Sequence, residues 1–128
     1  MCVDRGRPPE LKALIAAHNP GSDGDPGGVP DQRWLGIRDG VGELIACGVV
    51  EPNVAGVPLL SGITVHAEHR GRGLGRLITA ALTRLAVADR GVCTLGVYAH
   101  NRVAINLYQS LGYRIGKRWR SRQFLGLR

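Results

Sequence analysis

The run from Leu59 to Leu85 constrains this chain more than any other part of it. An apolar stretch, Leu59-Leu60-Ser61-Gly62-Ile63-Thr64-Val65, passes through His66-Ala67-Glu68-His69 into Arg70-Gly71-Arg72-Gly73-Leu74-Gly75, and apolar residues at helical spacing follow. A strand feeding a glycine-rich turn that opens a helix leaves several backbone N–H groups aimed at one spot, with the positive end of the helix dipole behind them. That spot takes an anion, usually a phosphate. Glycines let the backbone approach a pyrophosphate closely and adopt positive φ without strain. Two better-known phosphate loops fail here. A Walker loop needs Lys and then Ser or Thr where this chain has Leu77, and a dinucleotide fingerprint needs G-x-G-x-x-G where the spacing is G-x-G-x-G.

What remains is R-x-x-G-x-G, Arg70 to Gly75. It closely resembles the acetyl-CoA-binding motif of the GNAT superfamily of N-acetyltransferases, in which Gln or Arg precedes Gly and then Gly or Ala at this spacing. Downstream, Asn101, Ala104, Tyr108, Gly112 and Tyr113 look like a second segment of that family, N-x-x-A-x-x-x-Y-x-x-x-G followed by Phe or Tyr. Together the motifs span Val57 to Tyr113. The resemblance implies the GNAT fold, an α/β (α+β) class with a central, mostly antiparallel twisted sheet, parallel strands splayed at the acetyl-CoA site, and flanking helices. Residues 1–30 are expected to form a short helix and a flexible Gly/Pro-rich loop, and residues 31–128 the GNAT domain. The usual first strand and N-terminal helices look shortened or missing, and the chain ends soon after Phe124, where many members of the family have a final strand that is expected to be lacking here. The ending and the Leu59 to Gly75 segment look most like the glycine N-acyltransferase-like branch.

The implied reaction moves an acetyl group from acetyl-CoA to a primary amine by direct attack, without a covalent enzyme intermediate. Cofactor contacts are implied for Ile63, Thr64 and Val65 on the central strand, whose amides would face the thioester oxygen, and for Arg70, Gly71, Arg72, Gly73, Leu74, Gly75 and Arg76 in the turn. Asn101, Ala104 and Tyr108 complete that set. Tyr108 matches the family's general acid, and a phenol with a pKa of about 10 is protonated at neutral pH. An amine with a pKa of about 10.4 is mostly charged at pH 7, a deficit of about 3.4 units or roughly 4.6 kcal/mol, so a base should help. Ser61 and Gly62 stand where some relatives carry a glutamate. Glu43, Glu51 and Glu68 are then the candidates, each equally readable as a surface carboxylate. Asn101 can also serve simply as a helix cap.

At 128 residues the chain is read as one domain with a single modest core. No apolar run approaches the roughly 20 residues that span a bilayer. An N-terminus without an apolar signal core points to an intracellular, cytoplasmic protein. Cys2, Cys47 and Cys93 are widely spaced and odd in number, which argues for free thiols over disulfides. His66 and His69 flank Glu68 without a third ligand nearby, so a surface loop is preferred to a metal site.

A net charge of +7 suits an anionic partner, and the phosphates of coenzyme A give it a use. Two other readings stay open: a GNAT-fold module that binds coenzyme A or regulates without turnover, and a nucleic-acid binder using the Lys117-Arg118-Trp119-Arg120-Ser121-Arg122 cluster. An acceptor site completed by a second copy or by a missing N-terminal half is also compatible with the shortened ends.

Along the chain, Pro9 to His18 reads as a short helix with Leu11, Leu14 and Ile15 on one face, and Asn19 to Pro30 as loop. Arg33 to Arg38 and Gly42 to Val50 read as a hairpin turning at Asp39-Gly40. Three antiparallel strands are thus expected before the phosphate loop. Leu74, Leu77, Ile78, Ala81, Leu82 and Leu85 form the apolar face of a helix ended by Gly91. Val92 to Tyr98 reads as a buried parallel strand and Arg102 to Leu111 as a second helix. Tyr113 to Phe124 is either one bulged strand or a hairpin turning at Gly116-Lys117.

Overall fold

Short polar side chains shape the turns of the sheet. Between β2 (Arg33–Arg38) and β3 (Leu44–Pro52), the Asp39 carboxylate accepts from the N–H groups of Val41 at 3.0 Å and Glu43 at 2.9 Å. Asn53 plays the same part between β3 and β4 (Pro58–Val65), accepting from Ala55 at 2.8 Å and Val57 at 3.0 Å. Such Asx contacts replace the ladder bonds that a turning backbone gives up. The computed structural model describes residues 2–22, 24–119 and 122–127.

β1 (Cys2–Asp4) pairs antiparallel with the end of β2. Four antiparallel strands therefore precede the glycine-rich turn, one more than expected. A strand of three residues is too short to show a period of two in sequence. After the turn come α2 (Leu74–Arg90), β5 (Cys93–Tyr98), α3 (Arg102–Ser110), and the strands β6 (Arg114–Trp119) and β7 (Arg122–Leu127). The sheet runs β1-β2-β3-β4-β5-β7-β6, and only β4 and β5 are parallel neighbours. The fold is the mixed, largely antiparallel sheet with flanking helices that the GNAT resemblance implies.

The ending corrects an expectation. β7 lies between β5 and β6, so the final strand is present, and it holds β5 through a ladder from Cys93↔Leu127 to Tyr98↔Arg122. Both readings of Tyr113 to Phe124 were partly right: β6 and β7 form a hairpin, and their register slips between Ile115 and Lys117, so Gly116 is a bulge within β6 and not the turn. The side chains of Lys117, Arg118, Trp119 and Arg122, with Arg120 and Ser121, lie outside the described residues, as does the Cys2 side chain.

The core has two parts, one on each face of the sheet. On one, Ile37, Ala46, Val50, Leu60 and Leu95 meet α2 and α3. On the other, α1 (Pro8–His18) sets Leu11, Leu14 and Ile15 against Trp34, Cys47 and Val49. Arg38 ties that end together, pairing with Asp4 and making bidentate contacts with Glu10 at 2.7 and 2.9 Å. α2 ends as expected: Gly91 is left-handed at φ 73°, and its N–H reaches the Val87 carbonyl at 2.8 Å. Its buried face differs by one step. Leu77 is 44% exposed, whereas Thr79 is fully buried and returns its hydroxyl to the Gly75 carbonyl at 2.7 Å. The face is centred on the four-residue row Leu74, Ile78, Leu82 and Ala86, and position 77 falls on its edge. Among the described residues no helix is long and apolar enough to cross a membrane.

Two outcomes follow. Leu82→Ala should cost about 2–5 kcal/mol in urea unfolding, by cavity formation, while Leu77→Ala should cost less than about 1 kcal/mol. The Arg38 contact, the leading cause, holds the Glu10 carboxyl below its ordinary pKa of 4.5. A depressed carboxyl contributes stability above its unfolded pKa and loses it as pH falls through the folded value. Glu10→Gln should therefore flatten the fall in Tm on acidification below about pH 4.5.

Candidate active site

β4 and β5 pair at just two positions, Leu59↔Thr94 and Leu60↔Leu95. Beyond them β4 continues to Val65 and β5 to Tyr98 without meeting, and the gap opens into a cleft of about 330 Å³. The divergence has a local cause in β4. Between Cys47↔Thr64 and Val49↔Ser61 the register slips, so β4 carries one more residue than β3, and Gly62 takes φ 64°. This is a β-bulge at a glycine. A glycine inside an apolar strand, here Gly62, is the sequence signal for such a bulge.

Three contacts hold the bulge. Asn19, the residue after α1, donates from Nδ2 to the Ile63 carbonyl at 3.1 Å. The Thr64 hydroxyl donates to the Gly62 carbonyl at 3.0 Å, and the Cys47 thiol reaches the same oxygen at 3.7 Å. Burial pushes the Cys47 thiol up to about 12, so it stays neutral and donates. The loop after α1 seats here too: a Cβ on Gly24 would come within 2.7 Å of the Gly62 Cα, and one on Gly62 within 3.0 Å of the Trp34 ring. Only glycine fits at that crossing.

The walls of the cleft are unlike. On one side stand Asn19 and Ser22 from the loop, with Glu51 and Ser61 on the sheet; on the other stand Asn101 and Tyr108. Of the three candidate carboxylates, the structure brings only Glu51 to the cleft. Glu43 is exposed in the β2–β3 turn, and Glu68 is exposed in the short 3-10 turn Ala67–His69. Tyr108 is half-buried, and burial raises its pKa above the ordinary 10.0. Among the described residues its hydroxyl bonds to nothing in the protein, so its proton is available to whatever fills the cleft. Asn101 caps α3, accepting from Ala104 N–H at 3.2 Å, and lines the cleft as well.

Farther along β4 and α3 a second concavity, about 200 Å³, is lined by Val65, Arg70, Gly73, Gly75 and Leu107. Gly71 and Gly73 take φ 79° and 77°, and a Cβ at either would meet nothing within 4 Å. The first turn of α2 contains no acidic residue. Its unpartnered N–H groups and the helix dipole therefore face open space with their positive character intact. The room and the donor set suit a pyrophosphate. The Arg70 guanidinium is engaged in fastening the turn, donating to the His18 carbonyl at 2.7 Å and the Val65 carbonyl at 3.2 Å. Arg76 reaches the Ser110 hydroxyl at 2.7 Å, and Arg72 lies 3.3 Å from the His69 ring.

A larger crevice of about 490 Å³ shares only Glu51 with the cleft. It lies at the outer end of β3 and β4, by the turn that holds Gly56, and carries charges of both signs including the Arg33–Asp89 pair at 3.4 Å; neither the glycine-rich turn after β4 nor the N-terminus of α2 lines it.

Comparison with known proteins agrees with this geometry. The model of the acetyltransferase (GNAT) family matches residues 9–113. A mycothiol acetyltransferase from Kocuria rhizophila is 34% identical over 100 residues, 77% of this chain; the chain spans 28% of that protein's length. Among solved structures, a Klebsiella pneumoniae protein assigned to the acyl-CoA N-acyltransferases superposes with a TM-score of 0.81 at 26% identity, covering 98% of this chain and 94% of that one. The ribosomal-protein-S18-alanine N-acetyltransferase of Escherichia coli gives 0.79 at 19% identity over 98% and 92% of the two chains, a likeness of fold alone.

Gly62→Ala should place a side chain in left-handed backbone against the Trp34 ring, costing about 1–3 kcal/mol in urea unfolding. The near-UV circular dichroism of the tryptophans should change with it.

Proposed function

The chain belongs to the GNAT family of acetyltransferases, and from that premise we propose that it transfers an acetyl group from acetyl-CoA to a primary amine, with Glu51 as general base and Tyr108 as general acid. One observation carries the reading: a carboxylate and a neutral phenol line a single cleft, and a helix N-terminus without acidic residues stands farther along β4 and α3.

Acetyl-CoA, when bound, supplies an acetyl thioester and a pyrophosphate handle. The amides of residues 71–76 and the α2 dipole hold the handle. The β4 backbone past the bulge, around Ile63 to Val65, donates to the thioester oxygen as negative charge builds there. Glu51 takes a proton from the incoming ammonium, breaking N–H and forming O–H, and so meets the cost of deprotonating an amine near pH 7. The freed nitrogen attacks the acyl carbon, C–N replaces C–S, and Tyr108 protonates the departing sulfur. The remaining excess proton on nitrogen restores Tyr108. Burial favours the neutral phenol, which keeps that acid protonated throughout the neutral range. The acceptor is a small molecule or a peptide amine that enters past Asn19 and Ser22, where the wall is polar.

Isothermal titration with acetyl-CoA should give saturable binding, and its absence at near-millimolar cofactor would sink the reading. Against a panel of amino-terminal peptides, lysine, polyamines, aminoglycosides and small amines, Glu51→Gln and Tyr108→Phe should each lower kcat by about 10²–10⁴ with acetyl-CoA affinity retained. Unchanged turnover in either variant would remove that residue from the mechanism.

A further inference from the structure

Gln32 stands just before β2, on the outer crevice that Glu51 also lines and outside the cleft, and its carboxamide is fully used. Oε1 accepts from Gly27 N–H at 2.8 Å and from the Trp34 indole at 3.1 Å. Nε2 donates to the Asp25 carbonyl at 2.8 Å and to Glu51 Oε2 at 2.8 Å. Amide oxygens and nitrogens are often interchangeable, but here the partners decide. The Gly27 amide and the indole can only donate, while a carbonyl and an ionised carboxylate can only accept. Two donors and two acceptors saturate the group, so it cannot turn without breaking all four bonds.

The consequence falls on Glu51. A half-buried glutamate with three rotatable bonds can place its carboxylate in many ways, and ordering it costs side-chain entropy. Gln32 holds Oε2, and among the described residues Oε1 has no protein partner. One oxygen is pinned and the other left for a substrate proton, which is the arrangement a preorganised base requires. The same carboxamide grips Asp25 and Gly27 in the loop whose earlier residues, Asn19 and Ser22, wall the cleft.

We infer that Gln32 is a positioning residue for Glu51, and that its carboxamide couples the setting of the base to the seating of the 19–32 loop. The inference rests on the assignment of Glu51 as base. A residue that merely fastened the loop would act whether or not Glu51 were a carboxylate. One that works through Glu51 has nothing further to lose once Glu51 is replaced.

Gln32→Leu, Glu51→Gln and the double variant separate these cases, assayed with acetyl-CoA and the amine of the panel that the wild-type chain turns over fastest. Gln32→Leu should lower kcat about 10- to 100-fold, with KM for acetyl-CoA within about 2-fold of wild type. In the Glu51→Gln background it should add less than about 2-fold. If Glu51→Gln is fully active, the base assignment fails and takes this inference with it. If Glu51→Gln is slowed as expected but Gln32→Leu is silent, or its loss multiplies in the double variant, only the present inference fails.

A second measurement needs neither acceptor nor a Gln32 variant. In ¹H–¹⁵N spectra of the otherwise unaltered chain, Glu51→Gln should shift the Trp34 indole and Gly27 amide resonances, because both donate to the carboxamide that Glu51 holds. Unmoved resonances would overturn the coupling.

Discussion

The early end of pairing between β4 and β5 is what the rest of this molecule depends on. Parallel strands that stayed together to Val65 and Tyr98 would fill their own hydrogen bonds and leave no cleft. Separation leaves backbone groups of β4 facing solvent in the gap, a cost the surroundings must offset. The bulge at Gly62 supplies the change of direction, and Asn19, Thr64 and Cys47 hold its carbonyls. β5 can leave because its other edge is secured along its whole length by β7.

Around that gap, each element has a task that follows from its chemistry. α2 covers one face of the sheet with its apolar row and aims a helix N-terminus free of acidic residues at the end of the gap. α3 delivers Asn101 and Tyr108 to one wall. α1 and the loop after it close the opposite face, and the loop crosses β4 glycine to glycine, Gly24 over Gly62. Arg70 joins these parts: its guanidinium binds the carbonyl at the end of α1 and the carbonyl at the end of β4. The positive charge of the motif is thus partly structural, while the unpartnered donors of the turn belong to the main chain.

The elements legible in the sequence were those with strong periodicity or explicit punctuation. The apolar row of α2 with Gly91 after it, the hairpin turning at Asp39, and the cap at Asn101 all fall where those signals put them. β1 escaped because three residues carry no period. The stretch after Tyr113 stayed undecided between one strand and two because a glycine such as Gly116 serves equally in a bulge and in a turn. Leu77 was miscounted because a hydrophobic residue at the margin of a helical face is indistinguishable by type from one at its centre. The candidate site divided along the same line: Tyr108 and the glycine turn carry local motifs, whereas Glu51 could not be told from Glu43 or Glu68, Asn19 and Ser22 lay in a stretch read only as loop, and Gln32 fell between that loop and the next strand with no motif of its own.

By itself, the sequence determined the class of fold, the family, the glycine-rich turn that opens α2 and the phenol on α3, because each is written in residues close together along the chain. Tertiary structure decided which carboxylate shares a cleft with that phenol, where β4 parts from β5, and which side chain binds that carboxylate. Those outcomes join residues 19, 32, 51, 62 and 108, and separations of that size are settled by strand register and packing, which no local pattern records.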